Sequence, residues 1–600
     1  MIFEPINPSA QNPTRSEVRL SGGVPTLHVN NRPAPGMAYI TYFDDRADYA
    51  SFAAAGVRLF SVNAYFGSVG INNDTRIHPF APGIFDKKGS PDFSFFDGEM
   101  KKLLDICPEA MVFPRVDMAM PLWWLDENPD ELLFGEYVRP RECFASEKWL
   151  ADVKELLYQF VRHLETADYA PHIIGYQLSD GQTQEWMPFI RERVSGKAET
   201  EGFARWMAEN RPGTESDGLP DPNTSDAGLV RDYYEYVGDT VADAICTLSS
   251  LVKEITGRRT AVGCFYGYTT EITFPSGGHT ALSKVLRCPD VDFICSPVSY
   301  AEGRARGTDM PPMPPIDSVR LHGKLYFTEA DIRTYLSDFP GVTRPGSVEE
   351  GTYLSPIWKG DPDPDVSRAQ VRLAFLRVIT TSEALWWFDM WGGWYRDEGI
   401  MRDMKRFSEI YRVSMNDHKR ESRAEAAVII DEKVWLTPGI SDSAAANTVR
   451  AKFALARAGA PYDIYEASDF GDIRSRYKFF VFLAPAMTDA VSAAAAYCDE
   501  RAVGHMVYDG ASPLSCDNVR EAYRAAGLHI WCSSGDIVWA DRYYAGIYSV
   551  TTGKKEIELG KKRMVRTVLG GPECAIHSPI ETAKISVDMP ADRCWMFRTE

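Results

Sequence analysis

The sequence predicts a (β/α)8 TIM barrel, then a flavodoxin-like or amidotransferase-like α/β domain, then a small antiparallel β domain. Three observations carry that expectation. Between residues 36 and 390 eight strand-like apolar runs alternate with helix-like runs, and eight parallel strands close a barrel. After the charged stretch 416–425 the chain turns to short apolar strands between Ala-rich helices. From about Tyr543 short strands alternate with turns such as Thr552-Gly553 and Gly570-Gly571.

In chain order, the barrel strands are expected at 36–43, 57–65, 110–120, 172–180, 260–269, 292–300, 325–334 and 383–390. Helices fall between most of them. Over 146–169, Trp149, Val153, Leu156, Leu157, Phe160 and Leu164 recur at helical spacing, and a second long helix is expected from about 229 to 256. Insertions at 186–226 and 301–317 directly follow the fourth and sixth strands, on the face where a barrel builds its pocket. The α/β domain should draw strands from 426–431, 462–465, 479–484 and 505–509, with helices at 443–459 and 488–499. The expected domains are 1–415, 416–542 and 543–600, the first carrying an N-terminal extension.

Composition narrows the function. An apolar fraction of 44% and a charged fraction of 25% are those of a folded globular protein, and a formal charge of -19 disfavours nucleic acid or an anionic membrane as partner. Residues 1–15 hold no apolar core of signal-peptide length, and no stretch has the length of a membrane span. Eleven cysteines without a C-x-x-C pair argue for reduced thiols rather than a disulfide framework or zinc knuckle. Ten scattered histidines form no metal-binding pair, and no Gly-rich phosphate loop precedes a helix, so neither metal nor cofactor is expected. Together these features point to a cytoplasmic protein acting on a small molecule.

Chemistry is expected at the carboxyl ends of the barrel strands. There the sequence places Arg115 and Asp117 after strand three, and Gln177, Asp180 and Glu185 after strand four. Tyr300 and Arg304 follow strand six, Glu329, Asp331 and Arg333 strand seven, and Trp387, Asp389 and Trp391 strand eight. Carboxylates on strands four and seven are what retaining glycoside hydrolysis requires, one as nucleophile and one to protonate the leaving oxygen. Trp387, Trp391 and Trp394 could form an apolar platform for a sugar ring or simply pack the barrel, and Asp331 and Arg333 could touch sugar or brace each other.

Four motifs carry a family resemblance: Pro114-Arg-Val-Asp-Met-Ala-Met-Pro-Leu-Trp-Trp124, Ile174-Gly-Tyr-Gln-Leu-Ser-Asp180, Gly323-Lys-Leu-Tyr-Phe-Thr-Glu-Ala-Asp-Ile-Arg-Thr334 and Trp386-Trp-Phe-Asp-Met-Trp391. With the eight-strand layout, the chain resembles a clan A retaining β-glycosidase, closest in type to the family 42 β-galactosidases or their family 164 β-mannosidase relatives. The resemblance implies a retaining hydrolase of β-linked sugars, a trimerisation role for the α/β domain, and a homotrimer, while exo action on terminal sugars is expected from the long loops that could close the pocket. It implies Glu329 as nucleophile. Arg115, Trp124, Gln177, Asp180, Tyr300, Arg304, Asp331, Arg333, Trp387 and Trp391 are the expected sugar-binding set.

The family's acid/base is a Glu after strand four, usually in an Asn-Glu pair. Here Asp180 stands at the Asn and Gly181 at the Glu, and the next carboxylate is Glu185 in Gly181-Gln-Thr-Gln-Glu-Trp186. Glu185 can serve if the loop bends back, with Trp186 and Met187 as the apolar surface that keeps its proton on. Asp180 is the fallback. A third possibility is a site without its acid, which would make the chain a carbohydrate-binding or scaffolding protein on a glycosidase fold. An amidase reading of the α/β domain fails, because Pro485-Ala-Met487 follows its third strand and Cys498 lies within a helix.

Overall fold

The structure is a computed structural model that describes residues 3–8, 13–68, 76–135, 139–189, 194–214, 218–420, 422–571, 576 and 578–600. Eight parallel strands close into a barrel in chain order: Met37–Ile40, Leu59–Tyr65, Met111–Asp117, Gly175–Ser179, Ala261–Phe265, Phe293–Pro297, Leu325–Ala330 and Ala384–Phe388. Each lies within its expected run but is shorter, because the residues beyond its ends turn into the loops on the two faces of the barrel.

The barrel interior shows why these sequences close. Phe113, Phe293, Phe327 and Trp386 meet at its centre with ring centroids 4.1 to 6.3 Å apart. Their bulk is accommodated by glycines on neighbouring strands. A Cβ on Gly175 would lie 2.3 Å from Phe113, and one on Gly263 would lie 2.2 Å from Phe293. Large rings beside absent side chains fill the taper of a small barrel.

The longest helices of the barrel, Glu147–Thr166 and Ala227–Ile255, pack on its outside. Ser146 starts the first by accepting from the Trp149 amide, and Asp226 starts the second through the Gly228 and Leu229 amides. The N-terminal extension forms a small antiparallel sheet from Ser16–Ser21, Val24–Val29 and Arg32–Pro33. Ser16 Oγ accepts from the Ala261 amide at 2.8 Å, which ties this sheet beneath the barrel, away from the loops that follow the strands. The insertion after strand four contains Val194–Ser195 and the helix Lys197–Asn210; its residues 190–193 and 215–217 lie outside the described residues.

Beyond the barrel, Ala426–Ile430, Tyr462–Glu466, Phe479–Leu483 and Gly504–Tyr508 form a parallel sheet in the order two, one, three, four. That is the flavodoxin-like winding. The last sheet has five antiparallel strands and differs at its start, since its first strand is Ile537–Ala540 rather than a strand after Tyr543. Asp541 explains the difference: it accepts from the Tyr543 and Tyr544 amides and so makes the turn of a hairpin that begins earlier. Among the described residues no helix is long and apolar enough to cross a membrane.

Candidate active site

Glu329 is the penultimate residue of the seventh strand, 4% exposed, and Arg115 lies in the third strand, 1% exposed. The Arg115 guanidinium donates to Glu329 Oε2 at 2.5 Å and to Gln177 Oε1 at 3.3 Å. It is sandwiched near Phe265 and Phe388, 4.7 and 4.9 Å from their ring centres. Burial pushes the Glu329 carboxyl up to about 7, with Arg115 pulling it back down.

Glu185 reaches the same cavity by a hairpin. After the fourth strand the chain turns at Gly181, and the Gln182 amide donates to the Met187 carbonyl at 2.8 Å while the Trp186 amide donates to the Asp180 carbonyl at 2.7 Å. The turn is tight enough to put Gly181, Thr183, Gln184 and Trp186 all in the left-handed region, with φ of 73°, 55°, 61° and 58°. Three of these are not glycine, which marks a backbone held in strain by its surroundings. Gly181 has no room for a side chain, since a Cβ there would lie 2.6 Å from the Met187 nitrogen. The position where the family pattern expects an acid is therefore closed by the hairpin that delivers Glu185.

The Glu185 carboxyl accepts from Tyr268 Oη at 2.9 Å and from the Thr183 hydroxyl. Burial pushes it up to about 8, and the negative charge of Glu329 adds to the rise. The hairpin is fixed from outside by His279. Its Nδ1 accepts from the Gly267 and Tyr268 amides at 3.1 Å each, so Nε2 carries the proton and donates to the Glu185 carbonyl at 2.8 Å. Burial lowers the His279 pKa to about 4, which keeps the ring neutral in this role.

Glu329, Glu185, Arg115, Tyr300 and Trp391 line one cavity of about 350 Å³, together with Tyr42, Phe80, Phe265 and Phe388. Other expected residues do not reach it. Asp331 is fully buried beneath Tyr300, accepting from Tyr300 Oη and Arg333 Nη1 at 2.7 Å each and paired with Arg304. Two cations and a hydroxyl thus surround one carboxylate, and Arg304, Arg333 and Asp331 brace the floor rather than line the cavity. Gln177 lies under Arg115 with no exposure.

Asp180 is directed elsewhere. It accepts from the Gly181 amide at 2.7 Å and faces Arg141 at 3.6 Å, in a buried group with Glu142 and Asp117 that raises its pKa well above the usual range. Trp124 points to the helix Glu147–Thr166, donating to Asp152 at 2.7 Å. Trp387 faces the outside of the barrel, stacked on Phe407 at 5.7 Å, because strand neighbours alternate and Trp386 takes the inside. Trp394 lies over Arg333. Of the aromatic platform only Trp391 is at the cavity, packed among Tyr42, Phe43 and Phe80.

Tyr268, Thr183, Tyr42 and His279 are not among the residues expected from the sequence, and His279 is there only one of ten scattered histidines. Tyr266-Gly-Tyr268 does stand at the end of the fifth strand, where a search for strand-end polar groups could have found it.

No family model matches the sequence, and no curated protein matches it. Solved structures do match in fold. A β-galactosidase from Bacillus circulans sp. alkalophilus superposes with a TM-score of 0.61 at 12% identity, over 94% of this chain and 99% of that one. A catalytic mutant of a family 42 β-galactosidase from G. stearothermophilus gives 0.61 at 12%, over 97% and 99%. A family 42 exo-carrageenase from Bacteroides ovatus gives 0.58 at 11%, over 100% and 86%. The chain resembles family 42 glycosidases along nearly its whole length, and at these identities the likeness is one of fold.

Proposed function

We propose that the chain is a retaining exo-β-glycosidase that hydrolyses terminal β-linked sugars of the galactoside or mannoside type. In this reading Glu329 attacks the anomeric carbon while Glu185 protonates the departing oxygen, leaving a glycosyl ester on Glu329. Water, deprotonated by Glu185, then attacks that ester, releasing the sugar and restoring both carboxyls. The observation that carries the reading is the convergence of the two glutamates, from strands four and seven, on one cavity in different electrostatic settings. Arg115 favours the charged form of Glu329, whereas enclosure favours the protonated form of Glu185.

The test is Glu329→Gln. Hydrolysis of aryl β-glycosides should fall by at least about a thousandfold with the far-ultraviolet spectrum retained, and a 2-deoxy-2-fluoro glycoside should label Glu329 of the unmodified protein. Activity near the unmodified level would sink the assignment. The resemblance further supports a homotrimer assembled through the α/β domain, whose edge strand Gly504–Tyr508 leaves Val507 exposed, and the cysteines without a C-x-x-C pair support a cytoplasmic location. Light scattering coupled to gel filtration should give about three times the 67.2 kDa chain mass.

A further inference from the structure

We infer that Cys246 and Cys288 form a peroxide-reactive dithiol that closes to a reversible disulfide, strapping two outer helices together across the fifth strand of the barrel. The inference stands apart from the glycosidase reading. It rests on how one stretch of chain is laid against another.

The helix Ala227–Ile255 precedes the fifth strand, and the short helix Leu282–Arg287 follows it. On the first helix Asp239, Asp243, Cys246 and Ser250 are spaced four, three and four apart, so they form one stripe along a single face. The chain from Gly278 to Asp290 runs along that stripe, and direct contacts fix its register. A Cβ on Gly238 would lie 2.3 Å from Thr280 Oγ1, and one on Gly278 would lie 2.8 Å from Val241 Cγ2. Further on, Lys284 Nζ lies 2.8 Å from Asp243 Oδ1 and 3.5 Å from Asp239 Oδ1. Beyond the short helix, Ser250 Oγ donates to Asp290 Oδ2 at 2.7 Å. Cys246 stands between Asp243 and Ser250, and Cys288 stands between Lys284 and Asp290. The contacts on either side therefore bring the two thiols face to face, and Cys246 donates to the Cys288 sulfur.

The two sulfurs have different surroundings. The Cys246 hydrogen bond, joined by the Asp290 and Val291 amides, holds the Cys288 thiol below the ordinary thiol range. Lys324 Nζ donates to the Cys288 carbonyl at 2.6 Å and adds a nearby cation. Cys246, as the donor, is pushed up and keeps its proton. Cys288 is 8% exposed and Cys246 half-buried, which favours a small oxidant over a bulky disulfide.

The chemistry follows from that asymmetry. The Cys288 thiolate attacks one oxygen of hydrogen peroxide, the O–O bond breaks, and the departing hydroxide takes a proton from solvent. Cys288 is then a sulfenic acid, and one water has been released. Cys246 loses its proton and attacks the Cys288 sulfur; the S–S bond forms, the S–O bond breaks, and the hydroxide leaves with that proton as a second water. Two thiols have lost two electrons, and the peroxide has gained them. In a reducing compartment such a bond is transient, because a thiol reductant restores both cysteines.

The experiment treats the reduced full-length protein with hydrogen peroxide and maps its peptides without reductant. The expected product is a peptide pair joined through Cys246 and Cys288, formed at least about fivefold faster than oxidation at any other cysteine and removed by dithiothreitol. Amide hydrogen exchange over Leu282–Arg287 should slow at least about threefold in the oxidised protein. In Cys246→Ser, dimedone should trap a sulfenic acid on Cys288. In Cys288→Ser, Cys246 should react at least about fivefold more slowly than Cys288 does in the first variant. Oxidation at other cysteines with this pair unlinked overturns the inference, and so does a Cys246 that reacts as fast as Cys288. A linked pair with unaltered exchange in the short helix overturns it too, because the bond then straps nothing. The mapping uses the unsubstituted chain, so it decides the case even where a variant does not fold.

Discussion

Glu185 and Glu329 share a cavity but differ in what holds their charge. Turnover in the proposed mechanism needs Glu329 ionised and Glu185 protonated. Glu329 loses its proton as pH rises through about 7, and Glu185 loses its own as pH passes about 8. The sign follows: kcat/KM climbs through the first value and falls through the second, giving a narrow bell with its optimum between them. Tyr268 supplies a control. Its hydroxyl donates to the Glu185 carboxylate and so favours the charged form. Tyr268→Phe should shift the alkaline limb upward and leave the acid limb where it was, which a pH–rate series will show. A flat profile over this range would contradict the assignment of both glutamates.

Among the elements, the hairpin after strand four decides whether Glu185 reaches the cavity, and so whether the proposed mechanism has its acid. Its return rests on Gly181 at φ 73°, on the Gln182 and Met187 backbone pairing, and on the His279 ring that holds the Glu185 carbonyl. Gly181→Ala introduces a Cβ against the Met187 backbone in a conformation that L side chains rarely adopt. The expected cost is about 1–3 kcal/mol, measured by denaturant unfolding. Turnover should fall far more than stability, since a displacement of about 1 Å at the acid is enough to cost about a hundredfold. Unchanged turnover in this variant would mean that Glu185 does not depend on the hairpin. The eight strands were legible because a strand buried on both faces reads as a continuous apolar run. The hairpin was legible only as a possibility, because its geometry lies in backbone dihedrals and in a histidine 94 positions along the chain.

At the scale of the whole molecule, the α/β domain reaches the loops of the barrel. Lys452, 2% exposed on the helix Asp442–Ala456, donates to Glu271 at 2.8 Å and to the Thr270 carbonyl at 2.9 Å. Glu271 in turn accepts from the Tyr300 amide at 2.9 Å and from Ser299 Oγ at 2.7 Å, so the second domain supports the segment bearing a cavity tyrosine. Lys452→Met leaves Glu271 buried without its cation. It should destabilise the protein by about 3–5 kcal/mol, read as a lower Tm, with a rise in KM as Tyr300 loses its support. An unaltered Tm would show that the barrel loops stand without the second domain. This contact could not be read from the sequence, where Lys452 is one cation in an Ala-rich helix.

The three-part architecture, the eight barrel strands and the glutamate near the end of the seventh are legible in the residue order, because apolar periodicity and strand-end position are local properties. Which polar residues face the cavity is set by long-range packing. Trp387 and Trp391 are four positions apart, yet one packs outside the barrel and the other lines the cavity. Asp180 and Glu185 are five apart, yet a single turn buries the first and delivers the second to the cavity. The physical reason is that a side chain's direction depends on strand pleat and turn geometry, and its charge state depends on neighbours brought from distant segments.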